Sequence, residues 1–143
     1  MSRSNIQWEI SEKIGHVSGI VDINDSCDSL IILGHGAGAG MQHAFMESLA
    51  EKLFALRIGV CRYNFPYMES GKRRPDFPAV THATIRKILE NIQSSYQLPI
   101  LLAGKSFGGR MSSQLISNEP HLTVKGAIFY GCLLYTSPSP RDS

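Results

Sequence analysis

Four short apolar runs, each followed by a glycine-rich or polar loop or an amphipathic stretch, constrain this 143-residue chain more than any other feature. They are Leu30 to Leu33, Gly59 to Tyr63, Ile100 to Ala103, and Val124 to Tyr130. Runs this short with little polar alternation suit strands buried on both faces of a parallel sheet. Between the first two, Phe45, Leu49 and Leu53 recur at i+4 with Met46, Ala50 and Phe54 beside them, while Glu47, Glu51 and Lys52 fall on the expected wet side of a helix. A polar loop from Asn64 to Pro78 precedes a second helix marked by Ile85, Ile88, Leu89, Ile92 and Tyr96, which Pro99 must stop. A third helix is predicted over residues 107–117. The order β-α-β-α-β-α-β predicts an α/β fold: a mostly parallel sheet with right-handed crossovers and helices on both faces. Upstream, Gly15 to Ile23 reads as an earlier antiparallel strand or hairpin.

Composition narrows the function classes. A formal net charge of +2, with no interleaving of basic and aromatic residues, gives no footprint for nucleic acid. Cys27, Cys61 and Cys132 are odd in number, widely spaced and without a C-x-x-C, so neither a disulfide framework nor a zinc ribbon is suggested. The first 16 residues lack the apolar core of a signal peptide, and no stretch is long enough to cross a bilayer. The expectation is one soluble cytoplasmic domain with no membrane partner.

Two glycine-rich loops carry the chemistry. Gly104-Lys105-Ser106 imitates the end of a phosphate-binding loop, but the position five before Gly104 is Pro99, and apolar strand fills the intervening residues. The alternative is G-x-S-x-G, a strand-to-helix turn presenting a serine at its apex, in which Gly104 and Gly108 keep side chains out of the tight turn. The helix that begins after Ser106 aims amides and a positive dipole end at a developing oxyanion. The second loop, Gly34 to Gly40 ("GHGAGAG"), gives no G-x-G-x-x-G from any start; the variant with alanine last fits from Gly34, but Arg62-Tyr63-Asn64 stand where a dinucleotide site needs a ribose-binding acid. It does lie where a second oxyanion donor belongs.

Together "LIILGHGAGAGMQHAFM", "RYNFPYMESGKRRPD" and "ILLAGKSFGGRMSS" resemble the α/β-hydrolase superfamily, and more narrowly the dienelactone-hydrolase-like group that includes the testis-expressed and NSL-complex-subunit hydrolase-like proteins. The resemblance covers Leu30 to Gly131, the N-terminal two-thirds of such a fold. It implies Ser106 as nucleophile, Phe107 and Ala37 N–H groups as oxyanion hole, an ester, thioester or similar small acyl substrate, and no metal or organic cofactor. Some relatives are subunits of complexes, so a non-catalytic scaffold that binds a protein partner is the alternative.

That superfamily orders its triad as Ser, then Asp or Glu, then His. After Ser106 the acids are Glu119 and Asp142, and the imidazole is His121. Glu119 and His121 fall at the far end of the helix that Ser106 starts, on the order of 20 Å away at 1.5 Å of rise per residue. His35, earlier in the chain, is expected to shape the glycine loop. Residues 132–142, "CLLYTSPSPRD", match a reading frame of a transposon-end sequencing adapter. Residues 1–131 are therefore read as a partial hydrolase domain and 132–143 as a foreign tail, with the acid and histidine missing by truncation and this chain inactive. Arg110 is expected to pair with an acid, Lys105 to point outward, and Cys61 to sit in the core.

Overall fold

A computed structural model describes residues 2–131; the adapter-like tail and Cys132 lie outside the described residues. The elements are β1 (Arg3–Ser11), β2 (Gly15–Asp22), β3 (Ser29–Gly34), α1 (Ala44–Ala55), β4 (Ile58–Tyr63), α2 (Pro66–Glu69), α3 (Pro78–Ser95), β5 (Ile100–Lys105), α4 (Phe107–Asn118) and β6 (Gly126–Tyr130). They form a six-stranded sheet in the order β1-β2-β4-β3-β5-β6. The β3, β4, β5 and β6 strands run parallel, and β2 pairs antiparallel with both β1 and β4.

Each apolar run became a strand. On one face, Leu30, Ile32, Cys61 and Leu102 pack against Ile85, Ile88, Leu89 and Ile92 of α3 and Met111 and Leu115 of α4. On the other face, Ile31, Leu33, Val60 and Ala103 meet Met46, Ala50 and Leu53 of α1. Successive residues of a strand point to opposite faces, so the unbroken apolar runs of β3 and β5 feed both cores. The sheet has helices on both sides, as the alternation predicts.

Three features differ from the sequence reading. The N-terminal hairpin includes a whole strand, β1, that was not anticipated; Trp8 and Ile10 bury while Gln7, Glu9 and Ser11 stay exposed. The polar loop after β4 holds a four-residue helix, α2, begun by Pro66 at a position where a missing N–H costs nothing. Its Glu69 accepts from the Ser18 N–H and hydroxyl at 2.9 and 2.8 Å, tying the loop to β2. Finally, Glu47 does not face water alone: it pairs with Arg62 and Arg3 at 2.9 and 3.0 Å.

Candidate active site

The β3 and β5 strands are neighbours, and Gly34 stands in register with Gly104. The two glycine-rich loops therefore leave the sheet side by side. Ser106 follows β5 with φ 51° and ψ −109° and is the residue before α4. A non-glycine residue in that region costs about 1–3 kcal/mol, and it persists only where its surroundings impose it. Here the glycines impose it. A Cβ on Gly104 would lie 2.3 Å from the backbone of Gly108 and Gly109, and one on Gly108 would lie 2.5 Å from Gly34 C and 2.7 Å from His35 O. The strand, the turn and the first turn of the helix thus meet backbone to backbone. On the other side of the turn, the Ser106 N–H donates to Tyr130 O of β6 at 2.8 Å.

Phe107 is the first residue of α4, so its N–H is among the four that a helix leaves without an intrahelical acceptor. Its ring packs edge-on against Phe65 and Tyr67, with centroids 5.4 and 6.0 Å away, which holds the helix start against the loop after β4. Across the cleft, the glycine loop has few side chains with which to hold itself. It is held from beneath by His35, which is fully buried. The Phe65 N–H donates to His35 Nε2 at 3.0 Å, so the ring proton sits on Nδ1 and is donated to Gly36 O at 2.7 Å. Burial pushes the imidazole below its usual range, which keeps it neutral in this role. Gly36 C=O and Ala37 N–H belong to one planar trans peptide, so fixing the oxygen also fixes the opposite-facing N–H. Tyr67 Oη, its pKa pushed up to about 12 by burial, donates to Ala37 O at 2.8 Å and fixes the next peptide.

Between the two loops lies a cleft of about 310 Å³, lined by residues 36–39, His43, Met46, Lys105 and Ser106. The structure thus brings Ser106, Ala37, Gly104 and the start of α4 together. His121 is exposed and Glu119 is engaged with Arg86 between α3 and α4, so neither approaches the serine. His35 has both ring nitrogens committed, as expected of a residue that shapes the loop. His43 lines the cleft and accepts the Phe45 N–H on Nδ1 at 3.2 Å as the cap of α1. Lys105 does not project away: it lines the same cleft, with Nζ 4.9 Å from the Phe45 ring centroid. Arg110 makes no ion pair among the described residues; its guanidinium lies over the Phe107 ring at 5.9 Å.

Sequence reasoning missed Arg62. Fully buried near the C-terminal end of β4, it donates to Met41 O at 3.0 Å and Glu47 at 2.9 Å, with Asp22 3.7 Å away. Asp22, also buried, takes two bonds from Arg3 at 2.6 and 2.9 Å. Cys61 lies in the core, and burial pushes its thiol up, away from nucleophilic use. Among the described residues no group of three His, Cys, Asp or Glu side chains could hold a metal ion, and no helix is long and apolar enough to cross a membrane.

A parallel sheet with an antiparallel hairpin at one edge, a strained serine between strand and helix, and a glycine loop beside it define the class of α/β hydrolases. The chain belongs to the family described as the alpha/beta hydrolase domain, whose model matches residues 27–140 and so runs beyond Gly131. Solved structures with this fold include an alpha-beta serine hydrolase homologue from Coxiella burnetii, with a TM-score of 0.73 and 20% identity over 90% of this chain and 62% of that one. A serine hydrolase without a lid from Xanthomonas campestris gives 0.74 and 19% over 90% and 61%. A dienelactone hydrolase from Anabaena variabilis gives 0.74 and 14% over 92% and 65%. The chain spans less than two-thirds of the length of each of these three. None of the curated protein sequences compared with it matches.

Proposed function

We propose that this chain carries the nucleophile half of a cytoplasmic serine hydrolase that cleaves an ester, thioester or similar small acyl substrate. The observation that carries the reading is the backbone of Ser106, at φ 51° between two glycines that leave the turn no other packing. In this mechanism Ser106 Oγ attacks the acyl carbon, and the Phe107 and Ala37 N–H groups take the negative charge that develops on the carbonyl oxygen. Two amides held in advance by the α4 start and by His35 need little reorganisation as that charge appears. A histidine carried on sequence after residue 131 takes the serine proton and returns it to the leaving group, and an acid orients that histidine. No metal or organic cofactor takes part. Within the superfamily we place the chain in the dienelactone-hydrolase-like group, with which the Anabaena variabilis neighbour agrees.

The test is labelling by a fluorophosphonate probe. A protein extended by the histidine and acid should label at Ser106, and Ser106→Ala should abolish both labelling and ester turnover. The 143-residue chain, lacking them, should show no turnover of 4-nitrophenyl butyrate. Sequencing the source DNA across the Gly131 codon tests the adapter reading of the tail: a frame that continues into further strand-helix units supports it. Labelling that persists in Ser106→Ala would overturn the assignment.

A further inference from the structure

We propose that Lys105 selects the substrate of this site, and that the acyl group it selects ends in a carboxylate. The inference rests on the hydrolase reading of Ser106 and deepens it. Lys105 is the last residue of β5 and the immediate neighbour of the nucleophile. Its stem runs against the glycine loop: Cδ lies 4.0 Å from where a Cβ on Gly36 would stand. Its ammonium ends 4.9 Å from the Phe45 ring centroid, and Phe45 in turn meets Tyr130, the β6 residue in register with Lys105. Lys105 thus lines the cleft that holds Ser106, with its ammonium packed on an aromatic face rather than paired with a carboxylate of the described residues.

No described residue in that cleft balances its charge. The lining contains no carboxylate, and Lys105 forms no ion pair among the described residues. The other polar lining groups add no anion: the loop contributes backbone, and His43, with Nδ1 accepting, keeps its proton on Nε2. A ring face attracts an ammonium but leaves its N–H groups free to donate to an anionic oxygen. Among the described residues the site has a cation and no anion, which favours a ligand that brings one, and we place that anion on the acyl side of the scissile bond, where the esters below carry it. The reaction is then hydrolysis of a monoester or monothioester of a dicarboxylic acid. Water is the co-reactant, the C–O or C–S bond breaks, the alcohol or thiol leaves protonated, and the new acid gives its proton to solvent.

The experiment uses the full-length protein with two esters of equal acyl length, 4-methylumbelliferyl hexanoate and its ω-carboxylate counterpart, 4-methylumbelliferyl hydrogen adipate. The adipate should lead in kcat/KM by on the order of 10-fold to 100-fold, the range of a hydrogen bond to a charged partner. Most of the ratio should lie in KM, because the contact is present before the reaction starts, and it should shrink as salt is raised. Lys105→Met should erase the ratio, and Lys105→Arg should restore it. A wild-type ratio near one, a ratio unchanged in Lys105→Met, or equal loss on both esters with a lowered melting temperature would overturn the proposal; the last would mean that the lysine pairs within the fold. If neither ester is turned over, the hydrolase reading fails separately. Calorimetric binding of monomethyl adipate and methyl hexanoate to Ser106→Ala then decides: tighter binding of the adipate that requires Lys105 supports the anion site, and no difference refutes it.

Discussion

Replacing Gly108 by alanine sets two physical effects against each other. Gly108 lies in the first turn of α4. Helix propensity alone favours alanine there by about 1 kcal/mol. The packing opposes it: the new methyl would stand 2.5, 2.6 and 2.7 Å from Gly34 C, Gly34 O and His35 O, whereas carbon contacts are comfortable near 3.5–4.0 Å. All three atoms are backbone at the end of β3, a strand hydrogen-bonded to β4 on one side and β5 on the other, so the relief must come from moving α4 by about 1 Å. Inserting a methyl into a packed site costs about 1–3 kcal/mol, and three rigid contacts put this one near the top of that range. The net loss is then about 2 kcal/mol, a factor of roughly 30 in the folded-to-unfolded ratio. Urea unfolding and the melting temperature read it, the latter falling by about 6 °C. The control is Gly38→Ala in the neighbouring loop, where an added methyl meets nothing within 4 Å and should change stability by less than about 0.5 kcal/mol. A Gly108→Ala protein as stable as the parent, or more stable, would show that propensity wins and that the close approach of helix and loop does not hold Ser106 in place.

Other outcomes follow from the buried polar groups. His35 has its folded pKa lowered by burial, so unfolding takes up a proton below the usual histidine value of about 6.5. Stability should be full above that pH and fall as pH drops through it toward the folded value; His35→Gln should flatten this part of the curve measured by urea titration. Asp22→Ala should cost about 1–3 kcal/mol in the same assay, since it removes the acceptor of two Arg3 bonds and one of the two carboxylates beside the buried Arg62, with Glu47 remaining at 2.9 Å. Cys61 is fully buried with its thiol pushed up, so iodoacetamide at pH 8 should leave it unmodified in the native protein, and peptide mass mapping should find it alkylated only after urea is added.

The sheet was legible because each strand carries the pattern of its burial in its own residues. Ile31 and Leu33 bury against α1 while Leu30 and Ile32 bury against α3 and α4, so the run had to be apolar throughout. The same logic would have revealed β1, since Ile6, Trp8 and Ile10 alternate with Gln7 and Glu9 as one face of a strand does. Arg62 and Glu47 were illegible for a different reason. Nothing local tells a buried arginine from an exposed one; its partners come from α1, from β2 and from the loop after β3, and those elements meet only once the sheet is assembled. Glu47 looked like the wet face of a helix because helical periodicity records the angle of a side chain and not the charge waiting across the gap. Ser106 was readable from two glycines because their job is steric and lies within four residues of chain.

The glycine loop shows why the polar residues beside it have to be where they are. A loop that must bring its backbone close to a substrate cannot carry large side chains, so it has little with which to fix its own conformation. Its carbonyls are held from the side away from the cleft instead. His35 donates to Gly36 O, Tyr67 to Ala37 O, and Arg62 to Met41 O, while Asn64 Oδ1 accepts the Met41 N–H at 3.0 Å. Three of these four side chains sit at the end of β4 or just after it, and β4 lies beside β3 with Leu33 in register with Arg62. The strand next to the loop therefore supplies the hydrogen bonds that the loop cannot make for itself. Because each peptide is planar, every carbonyl drawn away from the cleft turns the following N–H toward the opposite side. On the proposed hydrolase reading, the "RYNFPY" segment supports the loop that would offer the Ala37 N–H to an oxyanion, although none of its side chains lines the cleft at Ser106.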